Sequence, residues 1–241
     1  LDEYIRFGGF PIVALGNYGA QSAYPIVDGI YHTVVSRDIV KRHRIHRQDL
    51  FDRVVKFVVE NMGKTFSANS IATFLKSEHR TISVESIYNY LRWLEQAFII
   101  YPCERYDLQG TSILKTQEKY YLSDVSLKYA LLGYNRKMLD GVLENIVYLE
   151  LRRRGYEVFI GKNNTKEIDF VANCRDERVY VQVITPLAGH LGIQLVVHLL
   201  CRDIFGNIHF GVFFHKDAVV TDTALFKLFA DHLKNRGFPA A

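Results

Sequence analysis

Two short β-like runs carry the residues best suited to chemistry. Glu167-Ile168-Asp169-Phe170-Val171 and Val181-Gln182-Val183-Ile184 alternate in polarity, so Asp169 points away from Ile168 and Phe170, and Gln182 away from Val181 and Val183. Glu144, on a helical stretch ahead of them, can meet Asp169 and Gln182 beside adjacent strands. Carboxylates converging there offer Mg²⁺ hard oxygen ligands, Asp169 and Glu144, and the bound ion activates water for phosphodiester cleavage. Glu144, Asp169 and Gln182 are therefore the candidate catalytic set of a metal-dependent nuclease. Such a site ordinarily needs a lysine two positions beyond the acid or glutamine of the second strand, to stabilise hydroxide and the charge on phosphorus. Ile184 stands there, so the expectation is an inactive or weakened site, with Asp169 and Glu167 as ordinary strand-end carboxylates.

A second set lies earlier in the chain. Val84, Ile87, Leu91, Leu94 and Phe98 form an apolar stripe that leaves Ser83, Ser86, Asn89, Tyr90 and Arg92 off it. These residue types hydrogen-bond base edges or phosphates when a helix lies in a major groove. Arg80 before the helix, and Lys115 and Lys119 after it, are candidate phosphate contacts. The nucleic-acid-binding set is thus Arg80, Ser83, Ser86, Asn89, Arg92, Lys115 and Lys119, and DNA is the expected partner. Glu85 and Glu95 on the same helix count against strong DNA affinity, and a module of this shape also serves protein contacts.

The elements that must position these side chains follow from periodicity. Leu50, Val54, Phe57, Val58 and Met62 share one stripe, predicting an amphipathic helix over 49–63 ended by Gly63. Ser67 or Asn69 can cap a short helix carrying Ile71, Ala72, Phe74 and Leu75, and Ser83 can cap a third. Two β-like runs, Phe98 to Pro102 and Lys119 to Leu122, follow, joined by the turn-rich stretch Asp107 to Lys115. Three helices and this hairpin predict a winged helix over 49–123. Ahead of it, Gly8, Gly9, Pro11, Gly16, Gly19 and Pro25 confine helix to short pieces before Tyr24. Arg37 to Arg47 holds five Lys or Arg, two His and one Asp, which reads as a solvated helix face or linker.

Behind the winged helix, helices are predicted from Asp124 to Gly133 and from Met138 to Arg154, with Gly155 at the C′ position. Strands are predicted at Tyr156 to Ile160, Glu167 to Ala172 and Arg178 to Ile184. Residues 185–241 contain no Glu. Within them Leu195 to Leu200 and His209 to Phe214 read as strands and Leu225 to Asn235 as a closing helix.

Composition excludes several classes. A chain of 241 residues that is 49% hydrophobic, with 16 Phe and 15 Tyr, is not disordered. No apolar run reaches the roughly 18 residues of a helical span, so no membrane partner is expected. Three widely spaced cysteines fit neither a disulfide framework nor a zinc site and leave the cytoplasm as the expected compartment. There is no His-Glu-x-x-His, no Gly-x-Ser-x-Gly and no Gly-x-x-x-x-Gly-Lys-Ser/Thr, so no phosphate-cradling loop lies within these residues. The chain begins with Leu1 rather than Met, which reads as a fragment of something longer.

Several segments together resemble a known family. Tyr4 to Pro11, Arg37 to Arg42, Tyr90 to Ile100, Lys119 to Asp124, Leu143 to Val158 and Lys166 to Val171 look like the C-terminal half of prokaryotic AAA-type ATPases carrying the domain DUF4143. The resemblance implies an ATP-binding domain preceding this chain, with ATP bound only there and that domain as a partner. It implies a nucleotide-sensing role for Arg6 as a lid arginine; separately, a homo-oligomer is among the expected partners. It also implies that the last part is similar to the restriction-endonuclease-like core. The expected architecture is α+β: a helical lead over 1–48 resembling the end of an ATPase module, a winged helix over 49–123, and a nuclease-like mixed sheet flanked by helices over 124–184. A divergent segment, 185–241, completes the core or stays unassigned. The expected function is the binding and regulatory part of such an ATPase, engaging nucleic acid, with a metal-dependent nuclease or a protein-interaction module as alternatives.

Overall fold

A computed structural model of the chain describes residues 2–16, 18–107, 112–135, 141–163, 166–175, 177–184, 196–202, 208–214 and 218–220. The fold is α+β. By its internal packing the chain divides into two compact units, one made of Leu1–Cys103 and Thr116–Ile146, the other of Glu104–Lys115 and Val147–Ala241. The lead and the three predicted helices therefore fall in one unit.

The lead forms α1 (Asp2–Phe7), α2 (Pro11–Gly16) and α3 (Ala20–Val34), continued by a π-helical segment, Val35–Lys41. α3 begins at Ala20, ahead of Tyr24, up to which the breakers were expected to confine helix to short pieces, and it runs through Pro25. Proline removes one backbone donor there, and the buried row Ala23, Val27, Tyr31, Val35 and Ile39 holds the helix regardless. That row repeats every four residues. An α-helix of 3.6 residues per turn would rotate such a stripe off the core by about 40° at each step. The wider π turn, in which Ile45 N–H bonds Val40 C=O at 3.1 Å, rotates it back and keeps Val35 and Ile39 inward.

Helices α4 (Gln48–Glu60), α5 (Ala68–Ser77) and α6 (Val84–Gln96) lie where the stripes predict. α4 stops at Glu60, and Met62 is buried in the turn beyond it. Ser67 caps α5 in a reciprocal box with Ser70, and the Ser83 hydroxyl accepts from Ser86 N–H at 3.0 Å to cap α6. The two strands are longer than predicted: β1 is Ile100–Asp107 and β2 is Ser112–Leu122. Thr65, between α4 and α5, forms an antiparallel bridge to Lys119 of β2. Gly63 N–H bonds Tyr120 C=O at 3.1 Å and Phe66 N–H bonds Glu118 C=O at 3.4 Å beside it.

After β2 come α7 (Ser126–Leu132) and α8 (Val142–Arg153). Asn145, fully buried on α8, both donates to Leu122 C=O and accepts from Leu122 N–H, pairing the end of β2 as a strand neighbour would. Asp124 performs a similar service for the lead. Its carboxylate accepts from Gly9 N–H at 2.7 Å, from Ser126 N–H at 2.9 Å and from the Ser126 hydroxyl at 2.5 Å, with Phe10 N–H as a further donor. Gly8 beside it has φ +73, and a Cβ there would lie 1.8 Å from Asp124 Oδ1, so only glycine fits.

The outer half of β1 leads into the second unit. Arg105, Tyr106 and Asp107 pair in parallel with Ile160, Gly161 and Lys162 of β3 (Glu157–Asn163). β4 (Lys166–Cys174), β5 (Glu177–Ile184), β6 (Val196–Arg202), β7 (Ile208–Phe214) and β8 (Ala218–Val220) follow antiparallel, each beside the last. Among the described residues the mixed sheet has eight strands in the order β2-β1-β3-β4-β5-β6-β7-β8. The outer part of the predicted hairpin, within Glu104–Lys115, thus belongs to the second unit. The strands foreseen after residue 185 are present, with β8 added, and the predicted helix Leu225 to Asn235 lies outside the described residues.

Replacing Asp124 with Ala leaves several buried donors without an acceptor, and we expect a loss of about 2–4 kcal/mol of unfolding free energy. Urea denaturation followed by circular dichroism checks this, with Asp124→Asn, which keeps one acceptor oxygen, losing less.

Candidate nucleic-acid interface

α6 buries Ile87, Tyr90, Leu91 and Leu94. Tyr90 therefore belongs to the core rather than to the outward set: its ring meets Phe51 edge-on at 5.2 Å, and burial raises its phenol above the usual range. The outward face carries Glu85, Tyr88, Arg92, Glu95 and Gln96, with Ser86 and Asn89 half-buried at its margin. Ser83 and Ser86 are engaged with each other, their hydroxyls 2.8 Å apart, so their first task is to start the helix. Arg92 Nη2 donates to Asn89 Oδ1 at 2.7 Å across one turn.

The basic segment joins this face through one aromatic contact. His43 stacks on Trp93 of α6 with ring centroids 4.1 Å apart and planes 9° from parallel. Partial burial first, and then the cations Arg42 and Arg92, hold the His43 imidazole below its usual range. The neighbouring charges divide into two kinds. Arg37 pairs with Asp38, and Arg47 and Arg80 both pair with Asp49, the latter at 2.8 Å. Among the described residues no carboxylate pairs with Lys41, Arg42, Arg44 or Arg92. The sequence alone left the first three outside the candidate set, because their segment reads as a solvated helix face or linker.

The remaining predicted site residues lie elsewhere. Lys119 is buried, and its Nζ donates to Glu144 Oε2 at 3.3 Å, which also accepts from the Tyr121 hydroxyl at 3.2 Å. A lysine so placed cannot reach a phosphate. The side chain of Lys115 lies outside the described residues. Asp169 and Gln182 do meet: Asp169 Oδ2 accepts from Gln182 Nε2 at 2.5 Å and from Val183 N–H at 2.7 Å. Both belong to the second unit, whereas Glu144 serves the first, in the pair with Lys119. Among the described residues no group of three or more His, Cys, Asp or Glu side chains is placed to hold a metal ion. Arg6 lies over the rings of Phe7, at 5.0 Å, and Tyr134, at 5.4 Å. Among the described residues no helix is long and apolar enough to cross a membrane.

Comparison with known proteins gives a family. Residues 1–138 match the model of a domain of unknown function, DUF8612. An uncharacterized protein of Haemophilus influenzae is 38% identical over 181 residues, covering 75% of this chain and 45% of that protein. The uncharacterized protein MJ1544 of Methanocaldococcus jannaschii is 32% identical over 178 residues, covering 71% of this chain and 38% of that protein. The chain thus spans less than half the length of these relatives. No solved structure matches it significantly. The family match corrects the resemblance drawn from the sequence: the model is that of DUF8612, not DUF4143, and neither it nor the relatives' names links the chain to an AAA-type ATPase. The lid-arginine role of Arg6, the ATP site in a preceding domain and the ATPase partner were implied by that resemblance alone, and neither the family match nor the relatives bear on them.

The burial of Lys119 generates a separation of stability from binding. Lys119→Met leaves the Glu144 carboxylate without its cation, and we expect a loss of about 3 kcal/mol of unfolding free energy, partly recovered in Lys119→Met/Glu144→Gln. Denaturant titration of the two single variants and the double variant measures the coupling.

Proposed function

We propose that this chain, which belongs to the DUF8612 family, binds duplex DNA through a winged helix over 49–123 whose recognition helix is α6. The order α4, bridge strand at Thr65, α5, α6, β1, β2, with Thr65 paired to Lys119 of β2, is what supports the winged-helix assignment. The observation that carries the DNA reading is the His43–Trp93 stack. It draws the most basic segment of the chain, with Lys41, Arg42 and Arg44, alongside the helix that carries Arg92.

The division of labour follows from charge. Cations without carboxylate partners gain most from phosphate, because they have no internal ion pair to give up, and each phosphate neutralised releases condensed counterions. Arg47 and Arg80 share the single charge of Asp49 and contribute less. α6 itself carries Glu85 and Glu95 against Arg92, so it adds little net attraction. Its part is to present side chains to base edges while the basic segment fixes register on the backbone.

Fluorescence anisotropy with a labelled 20-base-pair duplex tests the reading. Affinity should fall steeply as salt rises, and Arg42→Ala/Arg44→Ala, both exposed in the basic segment, should reduce the slope of log affinity against log salt by about 2. Arg153→Ala, exposed in the second unit and paired with Glu150, should leave the slope unchanged. Absence of any binding by the unaltered chain at low salt overturns the proposal.

A further inference from the structure

We infer that Arg92 reads guanine in the major groove and that Asn89 is the residue that positions it; the inference rests on the DNA-binding reading above. Among the side chains on α6 suited to bidentate base recognition are Gln96, its last residue, and a pair one turn apart, Asn89 for adenine and Arg92 for guanine. The bond between them decides which is used. Arg92 has only donors, so its contact at 2.7 Å fixes the Asn89 amide with its oxygen toward the guanidinium. Bidentate recognition of adenine needs that same oxygen to accept from the N6 amino group while the amide nitrogen donates to N7. The oxygen keeps a second lone pair, but the bond to Arg92 sets the plane and direction of the amide, so Asn89 can meet adenine only by giving up or sharing that contact.

Arg92 loses nothing comparable. One of its five N–H donors serves Asn89 and the others remain, and guanine offers two acceptors, O6 and N7, to a fork of that geometry. The Asn89 contact also restrains a long side chain before binding, so less rotamer freedom is lost when the base is met. The other arginines around the helices differ: Arg47 and Arg80 are held by Asp49, and Arg53 is held by Glu78. Arg92 alone among these four has a neutral partner, one that orients it without neutralising it.

The experiment is selection of bound duplexes from a randomised pool, followed by anisotropy on the selected duplex and its single-base changes. The unaltered chain should select guanine at one position and discriminate against other bases there by about tenfold or more. Arg92→Gln should move that preference from guanine to adenine, since glutamine carries both an acceptor and a donor. Asn89→Ala removes no charge, so the salt slope should stay while guanine discrimination falls severalfold. If Arg92→Gln weakens binding to every sequence alike, Arg92 is a phosphate contact and the inference fails while DNA binding stands. Unchanged discrimination in Asn89→Ala overturns the positioning role. Absence of binding to the whole pool overturns this inference together with the reading beneath it. Both residues lie on the outer side of α6, and thermal unfolding of each variant at the unaltered temperature confirms that the fold is kept.

Discussion

One buried carboxylate sets the frame of the first unit. Asp124 gathers the backbone of Gly9 and Phe10 from the lead and the N–H and hydroxyl of Ser126 at the start of α7. Burial raises its carboxyl above the usual range, and these donors pull back against that rise. Such a group is stable only when all of its donors arrive together, so the chain must bring residues 8–10 and 124–126 to one place. Gly8 is part of the same condition, because any side chain there would strike the carboxylate. α1, α3 and α4 all pack on α7, so fixing the start of α7 fixes the surface on which the other helices assemble.

From that frame the proposed interface follows by continuity of one helix stripe. α3 packs on α7 and hands its buried row to the π-helical segment, which keeps Val35 and Ile39 inward. Once Ile39 is anchored, the residues just beyond it cannot wander, and His43 is delivered to Trp93. Trp93 is in turn set by the burial of its neighbours Leu91 and Leu94. The basic segment is thereby held against α6 by packing at both ends, which a free linker of the same composition would not be. A strict α-helix through residues 35–41 would turn that stripe away from the core, so the π turn is the local irregularity on which the placement of charge depends.

Much of this is legible in the sequence, and the exceptions have physical causes. α4, α5 and α6 can be read from their stripes, and α5 and α6 also from their serine caps, because each helix buries one face only. β2 cannot be read by alternation because Lys119, Tyr120, Tyr121 and Leu122 are all buried; both faces are covered there, and polarity no longer reports direction. That is how Lys119 came to be expected at the surface. Tyr90 misleads for a related reason, since tyrosine has an apolar body and a polar tip and can serve either environment. The Asp169–Gln182 contact is legible, because residues on neighbouring strands obey the two-residue period. The pairing of Glu144 with Lys119 is not, since it joins residues 25 apart through a strand and a helix whose register no local pattern announces. The Thr65 bridge is a single residue pair, too short to leave a strand signature.

The acidic residues on α6 bear on what kind of DNA binder this would be. If the helix carried the affinity, Glu85 and Glu95 would work against it. In the proposed arrangement the affinity comes instead from the segment beside the helix, where Lys41, Arg42 and Arg44 lack carboxylate partners among the described residues. A near-neutral helix then has a merit of its own: it adds little to indiscriminate attraction, so the contacts it makes to bases form a larger share of the difference between one sequence and another. Glu85 also sits in the first turn of α6, where a carboxylate favours the positive end of the helix dipole. Its presence thus has a reason in helix stability that is independent of any partner, and it does not weigh against phosphate contacts made from the basic segment.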